Sequence, residues 1–154
     1  MAIYFYRTNG PYGAFSNFAT YGFDLEGKHW PTSEHYFQAQ KFAGTAHEEE
    51  IRQAPTARRA AAMGRQRWRP LRGDWEDVKL RVMRRAIRSK FMNYPDLLAL
   101  LLSTDDEDIV EATKADGYWG CGSDGRGQNM LGKLLMELRA ECRTGKAPDL
   151  ECSS

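Results

Sequence analysis

The sequence has few cysteines, no long apolar run and no leader-like start, and each absence excludes a class of protein. Its three cysteines are widely spaced and form no C-x-x-C pair. An odd, scattered set of this kind argues against a disulfide framework and against a zinc site. No apolar run approaches the roughly 18 residues that span a membrane. The start, MAIYFYRTNG, lacks the basic and apolar regions of a signal peptide. We therefore expect a cytoplasmic protein with no membrane partner.

A large net charge is also missing, but the charges are unevenly placed. The formal net charge is +1, yet residues 51–90 hold thirteen Lys or Arg against three Asp or Glu. The block thus carries +10 and the remainder of the chain −9. Such a block favours an anionic partner, a phosphate or a nucleic acid. The alternative is a solvated helix face paired with acidic neighbours.

Composition and periodicity predict one α+β domain, mostly helical with a small sheet. The chain has 42% hydrophobic and 28% charged residues, which is typical of a globular domain. We expect this domain over residues 1–145, followed by a polar tail at 146–154. Strands are predicted at 2–6 and 109–113, a hairpin around Glu26-Gly27, and helices at 33–44, 47–54, 55–64, from 74, from 95 and around 131–138.

The segment WPTSEHYFQAQKF, residues 30–42, predicts a helix with an unusual polar stripe. Thr32 and Ser33 are good capping residues. At 100° per residue, Glu34, Gln38 and Lys41 fall on one side of an otherwise apolar and aromatic helix. The stripe is either a solvent-facing surface or a pocket wall in which acid, amide and amine face a polar substrate. His35 points elsewhere and is interpreted as a hydrogen-bonded structural residue.

A glycine-rich stretch at residues 116–128 is the second candidate. It matches G-x-G-x-x-G formally, but a Rossmann site is excluded because no βαβ unit can follow it. Glycines leading to a helix capped by Asn129 favour a loop whose amides meet an anion. Asp116 and Trp119 precede the loop, so a carboxylate lies beside an aromatic ring that can stack on a base. The alternative is a surface loop with Trp119 as a core residue.

A third candidate lies in the first loop. Asn17 stands before Phe18 in FSNF, where it can orient a ligand or fold the turn. Arg7, just upstream, is a candidate for phosphate binding or a simple surface residue.

These stretches together resemble one family. SNF, WPTSEHYFQAQKF, DWEDVKLRVMRRAIRSKF, YWG and the final N-x-LG-x-LLMELR occur in that order. Over residues 3 to about 142 they are similar to the YbiA-like proteins, also called the NADAR family. The resemblance implies an N-glycosidase that hydrolyses the bond between ribose and a nitrogenous base. Its most specific implication is a small ribosylamino-pyrimidine phosphate, an early intermediate of riboflavin biosynthesis.

Two alternatives stay open at this point. One is a hydrolase that removes ADP-ribose from guanine bases of nucleic acid. The other is a non-catalytic module that binds ADP-ribose or nucleic acid.

The resemblance also assigns roles to the candidate residues. Cleavage passes through a cationic sugar, so Glu34 is expected as the acid/base or charge-stabilising carboxylate. Lys41 either protonates the leaving group or attacks an opened ribose as a Schiff base. Asp116 is expected to hold ribose hydroxyls or position water. No cofactor and no metal are implied. The expected substrate-binding residues are Arg7, Asn17, Phe18, Gln38, Arg65, Glu111, Trp119, Gly120 and Asn129, with the phosphate near Arg65 or the loop amides.

Overall fold

A computed structural model describes residues 1–145, and the predicted polar tail at 146–154 lies outside them. The described chain contains four short strands and six α-helices. It divides into two compact units, one of residues 1–16 with those from Phe91 onward, the other of residues 17–90. The strands are β1 (Ile3–Phe5), β2 (Phe23–Leu25), β3 (Lys28–Trp30) and β4 (Ile109–Glu111), and the helices are α1 (Ser33–Gln40), α2 (Ala46–Arg52), α3 (Ala57–Gly64), α4 (Trp75–Met92), α5 (Pro95–Leu102) and α6 (Met130–Arg143).

In the first unit, β1 and β4 form a parallel pair, with Ile3 opposite Ile109. The pair packs with α5 and α6 around an apolar core. The Phe15 ring lies 5.8 Å from that of Phe5 and 5.7 Å from that of Phe91. Helix α6 faces this core through the leucines that recur every three or four residues, Leu131, Leu134, Leu135 and Leu138.

In the second unit, β2 and β3 form the predicted hairpin. Glu26 and Gly27 both have positive φ, 56° and 78°, the conformation of a two-residue type I′ turn. Trp30 ends the hairpin fully buried, with its ring 5.1 Å from that of Tyr36 in α1. The hairpin thereby packs against the helix that carries the polar stripe.

Local chemistry explains most helix starts, with three differences from the sequence expectations. Helix α3 begins at Ala57 rather than at Pro55, and Thr56 caps it, because its hydroxyl accepts from the Arg59 amide at 3.0 Å. Asp74 directly precedes α4, but its carboxylate binds Arg72. Asn129 precedes α6 with φ 51° and makes no side-chain cap. The side chains of Asp74 and Asn129 thus bind other partners instead of the helix end.

Among residues 1–145, no helix is both long enough and apolar enough to cross a membrane. Cys121 and Cys142 form no disulfide among the described residues, and Cys152 lies outside them.

Candidate active site

The polar stripe of α1 is buried, so the solvent-facing interpretation is wrong. Only 6% of Glu34 and 3% of Gln38 is exposed, and every residue of α1 is buried. Gln38 Nε2 donates to Glu34 Oε1 at 2.7 Å, the pair expected for residues four apart on a helix. Since a buried carboxylate is costly unless it is hydrogen-bonded, this amide is part of what holds Glu34 in place.

Asn17 and Thr32 fix the start of α1 and with it the position of Glu34. The Asn17 carbonyl accepts from the Glu34 amide at 3.1 Å. Asn17 Oδ1 accepts from Ser33 Oγ at 2.8 Å, while Nδ2 faces the sulfur of Met83 at 3.3 Å. The Thr32 hydroxyl accepts from the His35 amide at 3.1 Å. Buried Asn17 therefore has a positioning role in the structure, whereas its neighbour Phe18 is exposed.

His35 is structural, as predicted. Its Nε2 lies 2.9 Å from the Ala54 carbonyl and Nδ1 lies 2.8 Å from Thr32 Oγ1. The carbonyl can only accept, so Nε2 carries the proton and Nδ1 accepts from the hydroxyl. Burial lowers the pKa of His35, which favours this neutral form.

Lys41 follows the last turn of α1 and is half-buried. Its Nζ donates to the Gly64 carbonyl at 3.2 Å and lies 5.9 Å from the ring centres of both Phe37 and Trp75. Burial lowers the pKa of Lys41, the nearby Glu34 carboxylate opposes this, and Arg65 adds to it. The carboxylate and the amine of the stripe thus lie near enough to interact electrostatically.

Gly64 lets α3 approach the stripe closely. A Cβ atom at this position would lie 2.1 Å from Gln38 Oε1, so only glycine fits here without displacing the amide. Gln38 Oε1 is itself buried without a hydrogen-bond partner among the described residues. The carbonyl of the same glycine accepts from Lys41, so the close approach of Gly64 positions both Gln38 and Lys41.

A cavity of about 510 Å³ opens beside Lys41. This volume lies within the roughly 300–1,000 Å³ of small-molecule sites. Four of the lining side chains are cationic and none is acidic, which makes the cavity suited to an anion. Glu34 is not among the lining residues, which are Lys41, Phe42, Gly64, Arg65, Gln66, Arg67, Arg69, Leu71 and Trp75.

Two of the predicted site residues, Lys41 and Arg65, line this cavity together with Arg67 and Arg69, which the sequence analysis counts only within the basic block of residues 51–90. These arginines form one wall of the cavity. Alternating Arg residues around Trp68, directly after a helix-ending glycine, were the available signal.

The glycine-rich loop of the first unit is closed by its own backbone. The amides of Cys121, Gly122 and Gly127 donate to Glu111, Thr113 and Cys121 carbonyls at 2.9, 3.2 and 2.6 Å. The amides of residues 128–131, from the end of the loop into the first turn of α6, donate to the carbonyls of Gly117, Gly120, Tyr118 and Trp119. These amides are therefore occupied, which removes the main reason to expect the phosphate there and leaves Arg65 as the expected phosphate contact.

Two carboxylates lie near each other in this unit. Asp116 Oδ1 accepts from the amides of Tyr118 and Trp119 at 2.9 and 2.8 Å, a turn-forming role. Glu111 accepts from the Thr113 hydroxyl at 2.6 Å. Burial raises the pKa of Glu111, the hydrogen bond from Thr113 opposes this rise, and the negative charge of Asp116 adds to it.

The remaining predicted residues of this unit have local structural contacts. Gly120 is buried, and a Cβ atom there would lie 2.9 Å from Glu111 Oε2. Asn129 joins β4 to α6, because Nδ2 donates to the Ile109 carbonyl and Oδ1 accepts from the Glu111 amide, both at 2.9 Å. Trp119 is half-buried and packs edge-on against Tyr118, while Arg7 is exposed. Their binding roles, and the catalytic role of Asp116, stay predictions.

A metal is not suggested by the donor set. Among residues 1–145, no three His, Cys, Asp or Glu side chains come together as a metal site would require.

Comparison with known proteins identifies the family. The family model described as the NADAR domain matches residues 4–143. The chain belongs to the NADAR family. It is 54% identical to "N-glycosidase YbiA" of Escherichia coli strain K12, over 90% of this chain and 87% of that protein. It is 47% identical to "N-glycosidase Npun_R5314" of Nostoc punctiforme, over 93% and 94% of the two chains.

A solved NADAR structure and a plant relative extend the comparison. The solution NMR structure of Escherichia coli YbiA superposes with a TM-score of 0.86 at 50% identity, covering 99% of this chain and 91% of the other. The maize relative, "Riboflavin biosynthesis protein PYRR, chloroplastic", is 43% identical over 90% of this chain but only 25% of its own length.

These NADAR relatives confirm two expectations. The α+β, single-domain fold is that of YbiA. The protein is an enzyme, a hydrolase of N-glycosyl bonds, and not a non-catalytic binding module.

Proposed function

We propose that this NADAR enzyme cleaves the bond between ribose and the base of a small ribosylamino-pyrimidine phosphate. The observation that carries the proposal is Lys41, an amine coupled to the buried Glu34 carboxylate on one side and lining a cationic cavity on the other. A small phosphorylated substrate suits this cavity in volume and in charge. The riboflavin-related name of the maize relative supports the pyrimidine class.

In the proposed reaction, the C1–N bond breaks and its electron pair stays with the nitrogen. The Lys41 ammonium gives the leaving nitrogen its proton. Glu34 stabilises the positive charge that develops on the sugar, and a water molecule adds at C1. The proton that this water releases passes to Glu34 or Lys41, which restores the starting state of the site. The products are ribose phosphate and the free amino-pyrimidine.

Lys41 is proposed as the proton donor because burial lowers its pKa, which makes its ammonium a stronger acid than that of an ordinary lysine. The Gly64 carbonyl accepts from Nζ, the Phe37 and Trp75 rings lie 5.9 Å away, and the Glu34 carboxylate opposes the effect of burial. The Schiff-base role, which needs a neutral amine, is the alternative. Arg65, exposed at the cavity wall, is proposed to meet the phosphate.

The test measures base release from a ribosylamino-pyrimidine phosphate by chromatography. Glu34→Gln keeps the acceptor oxygen for Gln38 and removes the charge, so the variant should fold but lose about 10²–10⁴-fold in turnover. Lys41→Met should lose activity to a similar extent. Glu76→Gln and Lys133→Met change exposed residues of the same types and should keep wild-type rates.

Full turnover by the Glu34 or Lys41 variant would disprove the role assigned to that residue. The same assay on ADP-ribosylated guanine in DNA tests the alternative substrate. Faster release from that substrate than from the pyrimidine by the wild-type enzyme would overturn the proposed substrate class.

A further inference from the structure

Trp68 is a large aromatic side chain that the fold leaves in solvent. It is 66% exposed and is not itself a lining residue of the cavity, but its chain neighbours Arg67 and Arg69 both line it. Leu71, another lining residue, is 54% exposed. Large apolar groups that are grouped on a surface and rimmed by polar residues are typical of binding surfaces. This cavity rim, residues 65–71, has no role in the reaction described above apart from Arg65.

Arg69 holds the indole of Trp68 in place. The guanidinium lies 4.4 Å from the ring centre of Trp68, on one face of the indole. Only 6% of Arg69 is exposed, and it donates to Gln66 Oε1, His47 Nδ1 and Glu50 Oε2 at 2.8, 2.7 and 2.8 Å. The His47 ring meets the indole at 5.5 Å and 70°. The indole is thus pre-organised, which lowers the entropy cost of stacking a ligand on it.

The backbone of the cavity rim is anchored at both ends. The Arg65 amide donates to the Ala62 carbonyl at 3.3 Å, which continues the last turn of α3. The Arg72 amide donates to the Lys41 carbonyl at 3.0 Å, which ties the far end to the reactive amine. Trp68 is therefore presented by a fixed segment.

The charge of the cavity rim identifies the second half of the ligand. Arg69 has Glu50 as its counter-ion, and Arg72 beyond the rim has Asp74. Within residues 1–145, neither Arg65 nor Arg67 forms a salt bridge. Two unneutralised guanidinium groups on a cavity without a lining carboxylate favour a phosphate, which they can bind through paired N–H donors.

We infer that the cavity rim binds a planar heteroaromatic ring that carries a phosphate, with the ring stacked on the exposed face of Trp68 and the phosphate at Arg65 and Arg67. The ligand is a mononucleotide-sized molecule, because the cavity volume is that of a small-molecule site. This inference deepens the proposed function by naming Trp68 as a specificity residue, and it rests on that function for the bond that is cut. Trp68 thereby selects substrates that have an aromatic base.

Isothermal titration calorimetry on the full chain tests the inference without requiring turnover. The probes are uridine 5′-monophosphate, which has ring and phosphate, and ribose 5-phosphate, which lacks the ring. Stacking on an aromatic side chain contributes about 1–3 kcal/mol per base, so Trp68→Ala should lower the affinity for uridine 5′-monophosphate by about 5- to 150-fold. The same substitution should change the affinity for ribose 5-phosphate by no more than about twofold. Trp68→Phe should retain most of the affinity, and Arg67→Ala should weaken both probes.

Tyr4→Ala is the matched control, since Tyr4 is an aromatic residue of similar exposure, 60%. It should bind both probes as the wild type does. An unchanged affinity of Trp68→Ala for uridine 5′-monophosphate, or no binding of this probe by the wild type, would overturn the inference.

The failures of the two proposals are distinguishable. If the wild type releases base but Trp68→Ala binds and turns over normally, the inference fails alone. If Trp68→Ala loses mononucleotide binding but the wild type cleaves no ribosylamino-pyrimidine phosphate, the proposed function fails alone.

Discussion

At the scale of single residues, the chemistry depends on whether the Lys41 side chain is present as the charged ammonium or as the neutral amine. Burial lowers its pKa, so its ammonium loses the proton at a lower pH than an ordinary lysine does. A proton donor must be charged and a Schiff-base nucleophile must be neutral. The two roles therefore predict opposite dependences of rate on pH.

We expect kcat/KM to fall as pH rises through the pKa of Lys41, because the acid form disappears. Borohydride added during turnover should leave no adduct on Lys41, as judged by mass spectrometry of the digested protein. Lys41→Arg, which keeps the charge but holds its proton much more tightly, should be nearly as inactive as Lys41→Met. A rate that rises over the same range, together with a trapped ribosyl adduct, would establish the Schiff-base role instead.

Lys90 is a second perturbed lysine, and the reaction does not use it. It is fully buried near the C-terminal end of α4, with Nζ 5.6 Å from the ring centre of Tyr21, and burial lowers its pKa to about 7. In the unfolded chain the pKa of this lysine is about 10.4. Between the folded and the unfolded pKa the unfolded state binds more protons, so the free energy of unfolding rises with pH.

The measurement compares wild type with Lys90→Met by urea denaturation at pH 7.5 and pH 9.0. Relative to the variant, the wild type should gain about 1–2 kcal/mol over this range, since one proton contributes about 1.4 kcal/mol per pH unit at most. Comparing differences removes any constant effect of the substitution on packing. A difference that does not change with pH would show that Lys90 is not neutralised on folding near pH 7.

At the scale of elements, the approach of α1 and α3 depends on Gly64. A methyl group there would overlap Gln38 Oε1, Cδ and Cβ at 2.1, 2.7 and 2.9 Å. Gly64→Ala should lower the free energy of unfolding by about 1–3 kcal/mol, the cost of overpacking. It should also lower turnover, because the helix that must shift carries the carbonyl bound by Lys41. Thermal denaturation and base release measure the two effects.

Gly73→Ala is the matched control for Gly64→Ala. A Cβ atom at Gly73 would meet nothing within 4 Å, and its φ is not positive. This variant should keep both stability and turnover. If Gly64→Ala behaves like Gly73→Ala, α1 and α3 pack less tightly than the structure indicates.

Elements whose cause is local could be predicted from the sequence. The Thr32 cap, the Glu26-Gly27 turn and the Glu34–Gln38 pair each depend on residues at most four apart, and all three are present. Pairing over long separations could not be predicted in this way. The partnership of β1 with β4 joins Ile3 to Ile109, and no periodicity specifies which strand meets which.

The candidate site shows the same limit. The spacing of Glu34, Gln38 and Lys41 specified one face of a helix, but whether that face meets water or protein depends on the packing of α3 through Gly64. Asn129 was a reasonable cap by residue type. Its side chain instead binds both ends of β4, the Ile109 carbonyl and the Glu111 amide.

At the scale of the whole molecule, the question is what the basic block of residues 51–90 does. Salt bridges to carboxylates hold several of its cations, among them Arg52, Arg69, Arg72, Lys79 and Arg85. Part of the local charge is thus neutralised within the fold, as the solvated-face alternative requires. At the cavity rim, the charge left at Arg65 and Arg67 suits one phosphate better than a continuous strand of them.

We therefore expect weak binding of nucleic acid by the intact chain. Fluorescence anisotropy with a labelled twenty-nucleotide oligothymidylate in 150 mM KCl should give a dissociation constant no tighter than about 10⁻⁴–10⁻⁶ M, the range of non-specific contacts. Between 50 and 200 mM salt, the slope of log affinity against log salt should correspond to about two phosphates, and Arg65→Ala with Arg67→Ala should remove most of it. Nanomolar binding with a slope of six or more would mean that the block engages a strand along its length. In that case ADP-ribosylated nucleic acid, rather than a small ribosyl phosphate, would be the substrate that its charge favours.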